Sequence, residues 1–161
     1  MGHTALAVWS STNFASGSKP KITFWFDSRP DRNKEYSSMK FGTYSLPCFN
    51  EFYDLFYSGG TKCIPSNIAE LLTVRSLAFW LSDDGTFDKL NQVVVLCTDS
   101  FTLEEVELLI NVLNDKWNLE CYKKKTSISN YRIVIPRRSL LVLQSLLGPI
   151  MPPMMRYRIG L

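Results

Sequence analysis

Two adjacent carboxylates and a glycine, Asp83, Asp84 and Gly85, end an apolar run that starts at Leu77 and has helical spacing. The C-terminus of a helix carries partial negative charge, so a carboxylate there is disfavoured by roughly 0.3–1 kcal/mol unless a cation lies close to it. Gly85 belongs to the residue type that most readily adopts a left-handed conformation and ends a helix. The segment is therefore either an ordinary helix that ends in a solvated turn or a place where carboxylates meet a cation.

Other chemistry is limited by the supply of reactive side chains. His3 is the only histidine, and the four cysteines are far apart and form no CxxC pair: Cys48, Cys63, Cys97 and Cys121. This composition argues against zinc clusters and against nucleophilic catalysis by Ser-His-Asp or Cys-His groups. The cysteines are expected to be reduced and to behave as small buried hydrophobes. If the protein is an enzyme, its carboxylates and lysines carry the reaction.

The charge of the chain changes sign along its length. Residues 1–47 contain six Lys/Arg and three Asp/Glu, residues 48–120 contain four and twelve, and residues 121–161 contain eight and none. A long basic segment without a carboxylate favours a polyanionic partner such as a nucleic acid, and the alternative is a basic surface without a partner. The length of 161 residues fits one domain. No apolar run approaches the ~20 residues of a membrane span.

The elements that must position the two carboxylates follow from hydrophobic spacing. Alternating β-branched and aromatic residues predict strands at Ala5–Trp9, Lys21–Phe26 and Met39–Thr43, with a polar loop over Asp27–Ser38. Helical spacing then predicts a helix at Leu46–Tyr57.

Two further helices are predicted, at Asn67–Leu72 and at Val74–Asp84; the latter is capped by Thr73 and ends in the two carboxylates. Ala78 and Ser82 lie four residues apart on one face of the later helix, and such a small pair permits close approach of another helix.

After Gly85, a loop over Thr86–Gln92 is expected to lead into a sheet that two helices back. The capping box of Thr102 and Glu105 predicts the start of the first of these helices. The predicted strands are Val93–Cys97, Glu120–Lys124 and Tyr131–Ile135, and the last predicted helix is Arg138–Leu147.

Several segments of the chain carry a resemblance to a known family. They are KCIP, LAFWLSDDG, VVVLCTDSFTLEEVELLINVLNDKWNLECY, YRIVIPRRSLLVLQSLLGPI and MMRYRIGL. In this order they resemble the second half of a two-motif LAGLIDADG homing endonuclease over about Phe41–Leu161. The resemblance implies an α+β fold, an αββαββ half-saddle in which helices back an antiparallel sheet. Residues 61–161 then form one endonuclease-like half-domain, and residues 1–60 resemble the strand-rich end of a first half.

The resemblance also implies the roles of individual residues. Asp84, the eighth residue of the motif, is expected to bind a divalent metal next to the Gly85 carbonyl; oxygen donors favour Mg²⁺, and Mn²⁺ also suits them. Lys62 matches a lysine near the cleavage centre that polarises water or neutralises phosphate. Arg158 stands where relatives commonly have Lys, which keeps the charge but not the compact ammonium. Asp99 stands where many relatives have Gln.

The strands of such a saddle lie in the major groove of DNA, so polar residues of two hairpins are candidates for nucleic-acid contacts. Arg, Asn and Gln read base edges with two hydrogen bonds, whereas Lys contacts phosphate or guanine. Each candidate is alternatively an ordinary solvated surface residue. The candidates are Lys89, Asn91 and Gln92 in the first hairpin and Lys123, Lys124, Lys125, Ser127, Asn130 and Arg132 around the second.

Two-motif members of the family have an earlier LAGLIDADG helix, and residues 1–76 contain nothing like it. The chain thus resembles a truncated or split member, in which the second acid comes from a homodimer or another fragment. The leading hypothesis is Mg²⁺-dependent cleavage of double-stranded DNA once a second motif is supplied. The alternative is an inactive relative that binds structured RNA, in intron splicing or with the ribosome. Such proteins are frequent in introns of mitochondria and plastids, so the resemblance suggests an organelle.

Overall fold

The first elements that the structure describes form a β-hairpin. The computed structural model describes residues 21–27, 34–40, 46–128 and 130–161. The chain divides into two compact units, one formed by Ser10–Tyr53 and the other containing Asp54–Leu161. In the first unit, β1 (Lys21–Asp27) pairs antiparallel with β2 (Lys34–Lys40).

The second strand of this hairpin begins earlier than the sequence predicts. It starts at Lys34, inside the predicted loop, and not at Met39, because each residue of β1 has a pairing partner in β2. Backbone hydrogen bonds between strands form whether the side chains are polar or apolar. The hydrophobic pattern of the sequence therefore does not indicate where this pairing begins. The strand predicted at Ala5–Trp9 lies outside the described residues.

A series of short elements leads to the helix that carries the carboxylates. They are α1 (Asn50–Phe56), β3 (Tyr57–Ser58), β4 (Thr61–Lys62), α2 (Ile68–Leu71) and α3 (Val74–Asp84), and a 3-10 turn at Pro47–Phe49 precedes them. Strands β3 and β4 pair through a turn at Gly59 and Gly60, whose φ angles of +57° and +79° suit glycine. This hairpin fixes the position of Lys62.

Helix α3 begins and ends where the sequence predicts, but for a different reason at its end. The Thr73 side chain accepts a bond from Ser76 N and the Ser76 side chain accepts one from Thr73 N, which is a reciprocal cap. Gly85 is extended, with φ −79° and ψ 147°, so the predicted left-handed conformation is wrong. A Cβ on Gly85 would lie 2.4 Å from the Leu81 carbonyl oxygen. Glycine is needed there for space.

The second unit is built on a four-stranded antiparallel sheet in the order β5-β6-β8-β7. The strands are β5 (Gly85–Asp88), β6 (Val93–Leu96), β7 (Tyr122–Lys125) and β8 (Tyr131–Ile135). The loop predicted over Thr86–Gln92 is therefore wrong in its first part, because β5 pairs with β6 along its whole length. Four residues carry too short a pattern for the sequence to indicate a strand. The predicted α+β fold is confirmed.

Side chains alternate between the two faces of this sheet. Val94, Leu96, Ile133 and Ile135 are 0% exposed on one face, where they join the core together with α4 (Leu103–Trp117). We call this the covered face. Each such aliphatic side chain stabilises the fold by about 1.5–3 kcal/mol. The alternate residues lie on the other face, which carries the polar Thr86, Asp88, Tyr122, Lys124 and Arg132 and also Val93, Val95 and the buried Val134. We call it the polar face.

The C-terminal segment packs back onto β5 and α3. It contains α5 (Leu140–Leu147) and a 3-10 helix at Pro153–Ile159. Gly160 has a φ of +76°, and a Cβ there would lie 2.7 Å from the Phe87 ring, so both conformation and space require glycine. Within the part of the chain that the structure describes, no helix has the length and apolar character needed to cross a membrane.

Candidate functional site

The C-terminal end of α3 brings carboxylates close to the lysine of β4. Asp84 is half-buried and its Oδ2 atom is shielded from solvent, whereas Asp83 is exposed. Burial lowers the pKa of the Lys62 ammonium, and attraction to the carboxylates of Asp84 and Asp83 partly opposes this effect. The Lys62 Nζ also lies 5.1 Å from the centre of the Phe101 ring. The predicted lysine and the predicted metal ligand thus lie in one site.

The segment that carries Lys62 is fastened to the start of α4. The Ile64 backbone N–H donates to Glu105 Oε1 at 2.7 Å, and Glu105 Oε2 accepts from the Thr102 N–H at 2.8 Å. One carboxylate therefore caps a helix and anchors the strand end beside the site. The sequence identifies Glu105 only as a cap, because the second bond joins residues 41 positions apart.

Arg158 reaches the same helix end from the C-terminal 3-10 helix. Its Nη1 donates to the Gly85 carbonyl, and its guanidinium lies 5.2 Å from the centre of the Tyr157 ring. The Asp84 carbonyl accepts from the Cys97 N–H at 3.2 Å, which ties the end of α3 to the sheet. The structure thus brings Arg158 to the carbonyl that the resemblance places beside a metal.

The oxygen donors at this helix end suit a hard cation such as Mg²⁺, as one half of a site. Asp84 provides a carboxylate, and Gly85 provides a carbonyl that Arg158 shares. No group of three or more His, Cys, Asp or Glu side chains suited to a metal ion occurs among the described residues. Mg²⁺ commonly takes one or two protein carboxylates together with substrate phosphates and water. One carboxylate from this chain fits that pattern when substrate and a second acid complete it.

The three consecutive lysines of β7 do not lie on one face of the sheet. Lys123 is opposite the buried Ile133, on the covered face, and its ammonium is paired with Glu107 of α4. Lys124 is opposite Arg132 on the polar face and is exposed. The register places Lys125 on the same face as Lys123.

The remaining candidates lie in the two hairpin turns. Asn91 donates through Nδ2 to Asp88 Oδ2 at 2.7 Å, and Gln92, which has a φ of +55°, donates through Nε2 to the Lys89 carbonyl at 2.9 Å. These bonds order the β5–β6 turn. In the β7–β8 turn, Ser127 Oγ accepts from the Asn130 N–H at 3.3 Å.

Arg132 is joined to a partner that the sequence does not indicate. Its Nε donates to Asp99 Oδ1 at 3.1 Å and its Nη2 to Asp99 Oδ2 at 2.7 Å. These donated bonds hold the pKa of the Asp99 carboxyl below its ordinary value. The two residues are 33 positions apart, and only the pairing of β6 with β8 brings them together.

The chain is similar in sequence to proteins of known function. The intron-encoded endonuclease ai4 of Dictyostelium discoideum is 33% identical over 133 residues, which are 81% of this chain and 82% of the relative. The cytochrome b mRNA maturase bI2 of Debaryomyces hansenii is 32% identical over 123 residues, which are 76% of this chain and 46% of the relative. The chain therefore spans less than half the length of that maturase.

A solved structure of similar fold is the homing endonuclease I-WcaI bound to its DNA recognition sequence. The TM-score is 0.74 and the identity 29%, over 88% of this chain and 64% of that one. Residues 4–143 match the sequence model of the LAGLIDADG DNA endonuclease family. This match covers most of the chain, and the chain belongs to the LAGLIDADG DNA endonuclease family.

Proposed function

We propose that this chain is one half of a Mg²⁺-dependent endonuclease that binds double-stranded DNA on the polar face of its sheet. The observation that carries the proposal is the meeting of Asp84, Lys62 and Arg158 at the end of α3, beside the first strand of that sheet. A carboxylate with two cationic side chains nearby suits a phosphate and a divalent cation together. The relative I-WcaI, solved with its DNA recognition sequence, supports duplex DNA as the ligand.

Each residue of the site has a distinct task in this proposal. Asp84 and the Gly85 carbonyl would hold Mg²⁺, which when bound supplies positive charge to the attacking and leaving oxygens of a phosphodiester. Lys62, whose ammonium is partly removed from solvent, neutralises a phosphate oxygen or polarises the attacking water. Arg158 holds the Gly85 carbonyl. A guanidinium stays protonated in proteins, so proton transfer is assigned to Lys62 and not to Arg158.

The contacts to DNA follow from the faces of the sheet. Lys124 and Arg132 lie on the polar face, where they reach phosphates and base edges. The two hairpin turns add Lys89, Asn91, Gln92, Ser127 and Asn130. Lys123 and Lys125 lie on the covered face by register, so we assign them no base contact.

The second acid of the site would come from a second motif helix, in a homodimer or on another fragment. Ala78 is buried in the core of its own chain, so the outer stripe of α3 is formed by other residues. Arg75 and Asp83 are exposed and Phe79 and Ser82 half-buried along this stripe. Ser82 Oγ donates to the Ala78 carbonyl at 2.8 Å, which satisfies its hydroxyl within the helix. A second helix packed parallel to α3 on this stripe would bring its own C-terminal end to the end of α3 that carries Asp84.

A second candidate function is binding of structured RNA. The observation in its favour is the 32% identity to an mRNA maturase. The basic segment 121–161 suits either nucleic acid. The intron-encoded relatives also support an origin in an organelle intron.

The direct test is nicking and cleavage of a randomised duplex DNA library in Mg²⁺ over a range of protein concentrations. We expect Asp84→Asn to reduce cleavage by roughly 100-fold or more while duplex binding persists, because the cation loses its charged ligand. Asp83→Asn is the matched control: it removes the adjacent, exposed carboxylate, which also attracts the Lys62 ammonium, so it should reduce cleavage far less than Asp84→Asn does.

The native mass of the protein, alone and with duplex, reports whether cleavage requires a second copy. Tight binding to structured RNA, together with no nicking of DNA at any concentration, would overturn the endonuclease proposal in favour of the RNA-binding alternative.

A further inference from the structure

Arg132 is held by one carboxylate at two points. It lies on the polar face in β8, opposite Lys124, and Asp99 receives both its Nε and its Nη2 donors, at 3.1 and 2.7 Å. Two parallel bonds between a planar guanidinium and a planar carboxylate fix the orientation of the arginine as well as its position. The arginine therefore has a fixed orientation on the polar face, where the neighbouring Lys124 is exposed.

Asp99 is itself fixed by the elements around it. Cys97 Sγ donates to Asp99 Oδ2 at 3.3 Å. The buried Thr98 donates through Oγ1 to the Tyr131 carbonyl at 2.6 Å, which ties the Asp99 turn to the residue before Arg132. The turn that carries Asp99 is thus bonded to the strand that carries Arg132.

The pair with Asp99 uses the donors of only one edge of the guanidinium. A guanidinium has five N–H donors, and the Asp99 carboxylate takes those of its Nε side. The edge formed by Nη1 and the second hydrogen of Nη2 is a two-donor fork, and 40% of the Arg132 side chain is exposed. Such a fork matches two adjacent acceptors, which in duplex DNA are O6 and N7 of guanine or two oxygens of a phosphate.

We infer that Asp99 is a positioning residue that makes Arg132 donate two hydrogen bonds to one bidentate acceptor of the bound duplex. The inference rests on the DNA binding proposed above and adds to it the residue that orients the contact. A lysine of the same charge cannot make such a contact, because an ammonium has no planar fork. Loss of Asp99 would leave the charge of Arg132 and remove its orientation.

The experiment compares Asp99→Asn and Arg132→Lys with the control Glu107→Gln. All three are measured by selection of bound sequences from a randomised duplex and by affinity for one selected duplex. Glu107→Gln removes the same charge from an ion pair on the covered face, so it reports the effect of charge alone. Thermal unfolding of each variant confirms that it is folded, and Arg132→Lys tests the contact with Asp99 left in place.

If the acceptor is guanine, both test variants should lose about tenfold preference for G at the same single position, while binding to random duplex is little changed. If the acceptor is phosphate, both should lose affinity several-fold for every sequence, with base preference unchanged. In both outcomes the double variant should be no weaker than the weaker single variant.

The inference is overturned if Asp99→Asn behaves like Glu107→Gln in affinity and in base preference while Arg132→Lys does not, since Arg132 then acts without positioning. It is also overturned if Arg132→Lys has no effect. Failure of the wild-type chain to bind any duplex would overturn the proposed function, and with it this inference, so the two failures are distinguishable.

Discussion

The two faces of the four-stranded sheet use charge in different ways. On the covered face, Lys123 lies next to buried aliphatic residues and is paired with Glu107 of α4. On the polar face, Lys124 is exposed and Arg132 is oriented by Asp99. Consecutive lysines of one strand thus have different surroundings. A count of basic residues does not identify a binding surface, whereas strand register does.

The acidic residues beside the polar face have different partners from the acidic residue beside the covered face. Asp88 accepts bonds from Asn91 in the first hairpin turn, and Asp99 accepts bonds from Arg132. Each acid orders a polar side chain proposed to contact DNA. Glu107, in contrast, is paired with Lys123 at the border of the core, where it anchors a lysine stem to α4.

The largest effect that separates the faces is expected in stability. Ile133→Ala should lower the free energy of unfolding by about 2–5 kcal/mol, because it leaves a cavity among fully buried side chains. Tyr122→Ala, on the polar face and 48% exposed in the wild type, should cost less than about 1 kcal/mol. Urea unfolding measures both, and equal losses would contradict the assignment of faces.

An intermediate effect is expected in the pH dependence of stability. The pKa of Asp99 is lowered in the folded state, chiefly by the bonds from Arg132. Its stabilising contribution is therefore present above the unfolded value of about 3.9 and is lost as the pH falls through the lower, folded pKa. The melting temperatures of wild type and Asp99→Asn should differ at pH 6 and converge below pH 4. A difference that stays constant down to pH 3 would show that the ion pair does not form.

The smallest effect is expected on the covered face. Glu107→Gln breaks the pair with Lys123, but both side chains are more than 40% exposed, so the change in unfolding free energy should be under about 1 kcal/mol. Duplex affinity should be unchanged, because the released ammonium points away from the polar face. A clear gain in affinity would show that Lys123 reaches DNA and that the two faces are not distinct.

Much of the fold follows from local sequence signals. Thr73 and Thr102 begin α3 and α4 as predicted, since capping depends on residues three positions apart. The sequence predicts a loop where β5 lies, because pairing with β6, and not the composition of these four residues, makes β5 a strand. Gly85 ends α3 as predicted, but with an extended backbone beside the Leu81 carbonyl that leaves no room for a Cβ, and not with a left-handed conformation.

The residues of the site also fall into two groups, those that the sequence indicates and those that only the fold brings together. The family motif indicates Asp84, other matching segments indicate Lys62 and Arg158, the latter in place of a common Lys, and the structure brings all three to one helix end. The second bond of Glu105 and the pairing of Asp99 with Arg132 join residues more than thirty positions apart. No spacing rule reports such contacts. Nor does composition separate Lys123 from Lys124, because one residue of register decides the face.

The measurement that tests the account most directly is duplex affinity as a function of salt for Lys124→Gln and Lys123→Gln. Each phosphate contact contributes about −0.9 to the slope of log K against log salt. We predict that Lys124→Gln weakens binding several-fold and makes the slope shallower by about 1, while Lys123→Gln leaves both unchanged. An equal loss of affinity and slope in both variants, or none in either, would contradict the claim that the polar face binds DNA.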